Sequence, residues 1–374
     1  MTKELTAFNE RSQAAERVGD AAEALAYHSG IPMFRRSRHR AMLEQLVDVA
    51  DELTPWIWAR WIVCQALRAE DTGSRTATLQ RLAMRDAVET FHADLMDAAY
   101  DEGDDPIQVV ARVLGESWAM HQLAAHDYHG LESFLDEFAD GALAERAELA
   151  RSWVGAAMGG YRVGRATTAC ALTAFDVSTQ ERLDVLDLGA GGVGGPDRWV
   201  IGRLVPSGTA PALMFDTAPL VVDEVTAREV AHRRSHPGGW VEAVRDALDE
   251  GRIEPGQLLR EDYELVTDVL SLGLVEFATP AAELPRVMAQ LRDGRDEVGR
   301  AAFRVLRSAA EGSLDEEAAP YVAAAVLNVH AHGEAQRTIL AARQQERWSH
   351  WAALVTDPAR SRLLGFARAT ADAA

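Results

Sequence analysis

The stretch RLDVLDLGAGGVGGPDRWVIGRLV, residues 182–205, decides how this chain folds. Two runs within it, 182–188 and 198–205, are rich in Leu, Val, Ile and Trp and partly alternate, as strands do. A glycine-rich stretch separates them. Upstream, TTACALTAFDV (167–177) is strand-like and runs into the turn residues Ser178, Thr179 and Gln180. Downstream, Pro206, Ser207 and Gly208 form a turn before Ala212, Leu213, Met214 and Phe215. Strands this close together leave no room for crossover helices. The sequence therefore predicts an antiparallel meander over 166–222, a small four-stranded sheet or half-barrel.

The flanking regions read as helix. In 15–30, Val18, Ala21, Ala22, Leu25 and Ala26 keep a three-to-four spacing. In 39–53, Met42, Leu43, Leu46, Val47, Val49 and Leu53 do the same. Thr54 and Pro55 start another helix, as N-cap and first-turn proline. Further helices are expected over about 74–100, 106–128 and 139–163, with breaks at Asp104 to Pro106 and Tyr128 to Gly130. Asp223 caps a helix that runs to the Pro237-Gly238-Gly239 break. Residues 262–275 fit helix or strand, and 282–312, 315–345 and 346–372 read as helix. The expected fold is mainly α, a helical hairpin or bundle array, with a small antiparallel β insert near the middle, α+β overall. Its regions are 1–165, 166–222 and 223–374.

The chain has 374 residues, 48% of them hydrophobic and 26% charged, so it can bury a core without disulfides or metal. Cys64 lies in an apolar helical run and reads as a buried free thiol; Cys170 is far away in sequence. The polar N-terminus has no secretory h-region, and no window reaches about 18 uninterrupted apolar residues. A cytoplasmic protein is expected. Net charge is −20, which repels nucleic-acid phosphates on average. Lys3 is the only lysine, a composition expected of a high-GC bacterium.

The run 185–192, VLDLGAGG, resembles the first motif of the S-adenosylmethionine-dependent methyltransferases. The resemblance implies a strand, a glycine turn and a helix whose N-terminus lies beside the cofactor. Gly189, Gly191 and Gly194 would line that turn, and Asp216 would hold the ribose. Residues 263–270 are similar to a later strand of that family, so the resemblance spans roughly 180–290. The other parse is a glycine-rich loop between two antiparallel strands, which needs no cofactor.

Other candidates carry structural alternatives. Glu89 with His92 and Glu229 with His232 are i, i+3 pairs of the kind that build di-metal sites, yet further ligands are not identifiable. His121, His126 and His129 form a histidine cluster near a helix end. HExxH, Gly-x-Ser-x-Gly and phosphate-loop motifs are missing, so no catalytic or metal-ligating residue is assigned. Arg35, Arg36, Arg38 and Arg40 form a basic run suited to phosphate or an acidic partner. Arg300, Arg304 and Arg307 recur at helical spacing. Trp56, Trp58 and Trp61 suit a partner hot spot or a helix–helix core. The leading functional reading is a non-catalytic interaction, scaffold or regulatory protein with no cofactor. Its partner is a protein or peptide, a second copy included. Methyltransfer is the alternative, and a nucleic-acid-linked regulator using the 35–40 run is the third reading.

Overall fold

The structure, a computed structural model, describes residues 3–32, 39–40, 43, 46–47, 55–68, 73–102, 105–168, 171–186, 198–208, 212–236, 238–259, 295–327, 344–355 and 359–372. It is mainly helical, with one six-stranded sheet in the middle of the chain.

The N-terminal helices are α1 (Lys3–Arg17), α2 (Ala21–Ser29), α3 (Pro55–Leu67), α4 (Arg75–Phe91), α5 (Ala93–Glu102), α6 (Pro106–Glu116) and α7 (Trp118–Gln122). A π turn, Leu123–Asp127, continues α7 and leads into α8 (Gly130–Glu137), α9 (Gly141–Glu145) and α10 (Glu148–Trp153). Side chains fix several starts by accepting otherwise unpaired backbone N–H groups. Asp20 caps α2, Ser74 caps α4, Asp105 caps α6 and Ser117 caps α7.

Two long helices expected from periodicity are broken. The 74–100 helix divides at His92, whose φ is −136°. The 106–128 helix divides at Ser117, which is extended (φ −81°, ψ 114°). Ser117 ends α6, caps α7 and bridges to Leu259, three roles that remove it from a continuous helix.

The strands are β1 (Met158–Thr168), β2 (Ala171–Asp176), β3 (Arg182–Leu186), β4 (Arg198–Pro206), β5 (Leu213–Phe215) and β6 (Leu220–Val222). The expected boundary at 166 is thus corrected to 158, inside the helix expected to reach 163. Gly159 and Gly160 disfavour helix. An added Cβ on Gly160 would sit 1.9 Å from the Ala227 carbonyl oxygen, so close packing selects glycine there. The sheet has six strands where four were expected, and it is mixed. β1 pairs antiparallel with both β2 and β4, β2 with β3, and β4 with both β5 and β6, but Val185 of β3 meets Leu213 of β5 in parallel. The order β1-β2-β3-β5-β4 therefore returns to β1 as a closed ring, with β6 beside β4.

Alternation sorts the strand residues into two populations. Tyr161, Val163, Leu172, Ala174, Val185, Val200 and Phe215 pack together inside the ring. Met158, Ile201 and Leu220 instead join a core with α4, α7 and the two helices after the sheet, α11 (Glu224–His232) and α12 (Gly239–Asp249). Asp223 caps α11 as the sequence predicts, accepting from Thr226 N at 2.8 Å. Leu186, Val205 and Met214 join a third core. It combines α3 and α8 with α13 (Arg295–Glu311), α14 (Ala319–Leu327), α15 (Gln345–Leu354) and α16 (Ala359–Asp372). The ambiguous 262–275 segment lies outside the described residues.

Candidate functional site

Asp216 follows β5 and is directed into the helical layer, away from solvent. Its Oδ1 accepts from Thr217 N at 2.7 Å. Its Oδ2 accepts from His126 Nε2 at 2.9 Å and Gln122 Nε2 at 3.2 Å. The π turn supplies both His126 and Asp127, and α7 supplies Gln122. Arg203 comes from β4 with the same outward parity as Ile201 and Val205. It donates Nε to Gln122 Oε1 at 2.8 Å and pairs with Asp127. Trp240 of α12 donates to the same Asp127 carboxylate at 3.1 Å. Arg60 of α3 donates to the Phe215 carbonyl at 2.6 Å.

Two carboxylates and two guanidiniums thus meet in the interior, which balances the buried charge. Burial would raise the Asp216 pKa, but the His126 hydrogen bond and the nearby Arg203 hold it below the usual carboxylate range. Burial lowers His121 to about 4, against the opposing pull of Asp216. It lowers His126 as well, helped by Arg203. Arg60 is pushed down to about 10 by burial and stays charged at neutral pH. His126 is therefore a neutral imidazole donating from Nε2, since a carboxylate only accepts. Its Nδ1 has no hydrogen-bond partner among the described residues. The Asp–His pairing is the one that orients a general base. A base must also reach its substrate at hydrogen-bond distance. The side chains are 0% (His126) and 3% (Asp216) exposed, so no substrate reaches them in this arrangement. The cluster ties the helical layer to the outer face of the ring.

The sequence candidates separate. Asp216 accepts three hydrogen bonds from protein donors and is buried against the helical layer. Gly189 and Gly191 lie outside the described residues, as do Arg35, Arg36 and Arg38. The chain resumes at 198 as strand β4, and the one parallel contact in the sheet is β3 with β5. The parallel, crossover-connected sheet implied by the methyltransferase resemblance is not formed by the described strands. Arg40 is half-buried and engaged. Trp56, Trp58 and Trp61 are 2%, 6% and 1% exposed, so they belong to the core and not to a free surface. His92 donates to or accepts from Ser117 Oγ at 2.8 Å, and Glu229 pairs with Arg252. His129 takes a left-handed backbone (φ 58°) before α8 and pairs with Glu132. Among the described residues no three His, Cys, Asp or Glu side chains gather as metal ligands.

An accessible feature lies on α5 and α6, which pack against each other as a hairpin. Val113 is the one residue of α6 recorded as buried. Ile107 and Leu114, seven residues apart on one face, are 69% and 45% exposed, with half-buried Val110 between them. Tyr100 of α5 is 65% exposed. Beside it, Asp94, Asp97 and Asp101 are exposed at i, i+3, i+7 spacing, and none forms an ion pair among the described residues. Sequence reasoning recognised this helix but not its exposed face, because periodicity marks an apolar stripe without saying what covers it.

The chain matches no known protein family, no curated protein and no solved structure. No helix among the described residues is long and apolar enough to cross a membrane.

Proposed function

We propose that this chain is a non-catalytic interaction protein whose α5–α6 hairpin receives a basic, amphipathic segment of a partner protein. The carrying observation is that one helical hairpin exposes both the Ile107–Leu114 apolar stripe, on α6, and the Asp94–Asp97–Asp101 stripe, on α5. An exposed apolar stripe is the surface that a helix-in-groove partner covers. The carboxylates specify the partner's charge, because opposite charges at the rim steer association and reject like-charged competitors. The sealed Asp216–His126 pair supports the non-catalytic reading. A cytoplasmic, bacterial setting completes the proposal, supported by the absence of a disulfide at Cys64 among the described residues and by the acidic, lysine-poor composition.

The test is fluorescence anisotropy with two labelled amphipathic helical peptides of equal apolar content, one flanked by Arg and Lys, the other by Glu and Asp. The basic peptide is expected to bind. Ile107→Glu with Leu114→Glu, and separately Asp97→Lys with Asp101→Lys, should each weaken it at least about tenfold, or 1.4 kcal/mol. Equal binding of both peptides, or unchanged binding by both variants, rejects the proposal. Self-association that Ile107→Glu abolishes would assign the face to a second copy instead.

A further inference from the structure

A second polar cluster lies between the N-terminal helices, and it opens to solvent. Gln13, Glu16 and Arg17 share one face of α1, at i, i+3 and i+4. Gln65 and Arg68 come from the C-terminal end of α3. Together with Phe134 of α8 they line a half-open cavity of ≈ 250 Å³, counted out to open solvent. Much of that volume is open solvent and the enclosed part is small, so any occupant is compact.

The donors and charges of this cavity do not balance. Glu16 is 1% exposed and fully committed. Its Oε1 meets His39 Nε2 at 2.9 Å, and its Oε2 accepts from Trp61 Nε1 at 3.1 Å and from Arg68 at 3.5 Å. Burial would raise its pKa, but His39, Arg68 and Trp61 together lower it to about 2. Burial and Arg68 lower His39, so the imidazole adds no charge at neutral pH. Glu16 therefore neutralises Arg68 alone. Arg17 lies with its guanidinium carbon 4.1 Å from the Phe138 ring centroid and has no carboxylate partner among the described residues. Independently, Gln65 is 6% exposed, lines the cavity, and its Nε2 has no hydrogen-bond partner among the described residues. A buried amide donor left without an acceptor is costly, so the site gains by acquiring one. Among the described residues the cavity thus offers one surplus cation and one unmet donor.

We propose that this cavity binds a small oxyanion, a carboxylate or a phosphate, held by Arg17 and Arg68 with Gln65 donating from the wall. Planar guanidinium groups match both kinds of oxyanion. The site is independent of the α5–α6 face.

Calorimetric titration and thermal melting of the full chain test it. Sodium acetate and inorganic phosphate are each compared with sodium chloride at equal ionic strength. Saturable binding of at least one, with a matching rise in melting temperature, is expected. A response to acetate alone identifies a carboxylate site, and a response to phosphate alone a phosphate site. Arg17→Gln, at a half-buried position without an ion pair among the described residues, should weaken binding at least tenfold while the chain melts normally. Gln65→Leu should weaken it too. The proposal is overturned if neither anion acts beyond chloride, or if Arg17→Gln binds as tightly as the native chain.

Discussion

His121 lies one turn before His126, and both are held neutral by burial beside Arg203 and Asp216. Their charged forms are disfavoured in the fold, and pH dependence follows from that. The folded pKa of His121, about 4, lies below the ordinary histidine value of 6.5. Between these values the unfolded chain takes up a proton that the folded chain refuses. Stability is therefore full above pH 6.5 and falls as pH drops toward 4. His28 and His92, also lowered to about 4 by burial, add to the same window. Glu16 acts lower down: its contribution is intact above the ordinary glutamate value of 4.5 and is lost as pH falls through about 2. We expect the unfolding free energy measured in urea to be lower at pH 5 than at pH 7.5, by roughly 2 kcal/mol for each such histidine, with a lower midpoint. His121→Gln should flatten that slope. A midpoint constant between those two pH values would exclude the assigned histidine states. The His121–His126 cluster was visible in sequence as spacing, but its partners were not. Gln122, Asp127, Arg203 and Asp216 are ordinary polar residues until folding places Asp216 2.9 Å from His126. The three tryptophans present the reverse case. Their composition suits both an interface and a core, and only burial decides for core.

At the scale of elements, short-range signals succeeded where side-chain chemistry acts on the adjacent backbone. Asp223 caps α11, and Pro206 to Gly208 turns the chain between β4 and β5. They failed at Gly159 and Gly160, where the determinant is contact between β1 and α11. Gly160→Ala would place a Cβ 1.9 Å from the Ala227 carbonyl oxygen. Backbone cannot rotate away as a side chain can, so α11 must shift. We expect a loss of about 1–3 kcal/mol by chemical denaturation. Gly164→Ala, whose nearest contact would be Thr173 O at 3.5 Å, should cost less. Equal losses would mean that β1 tolerates little change anywhere, and that the α11 contact is not the constraint. The α6 face shows the same limit from the opposite side. Periodicity alone gives Ile107 and Leu114 the pattern of a core stripe, whereas the fold leaves them exposed.

For the whole molecule, the net charge of −20 acts as a diffuse self-repulsion. Several of its ion pairs are exposed i, i+4 contacts, such as Arg112 with Glu116, Arg228 with Glu224 and Arg307 with Glu311. Such pairs contribute little and are screened readily. Salt should therefore relieve repulsion more than it weakens pairing. The melting temperature is expected to rise between low and high sodium chloride, and a fall would mean that paired charges dominate. Composition and periodicity by themselves determined a mainly helical chain with a small sheet in its middle, because helical and strand periods are local properties of hydrophobic spacing. The tertiary structure decided that the sheet begins at Met158, closes as a ring through Val185 and Leu213, and packs charged side chains against its outer face. Those outcomes depend on contacts between residues such as Gln122 and Asp216, 94 positions apart, and no local pattern encodes the distance between them.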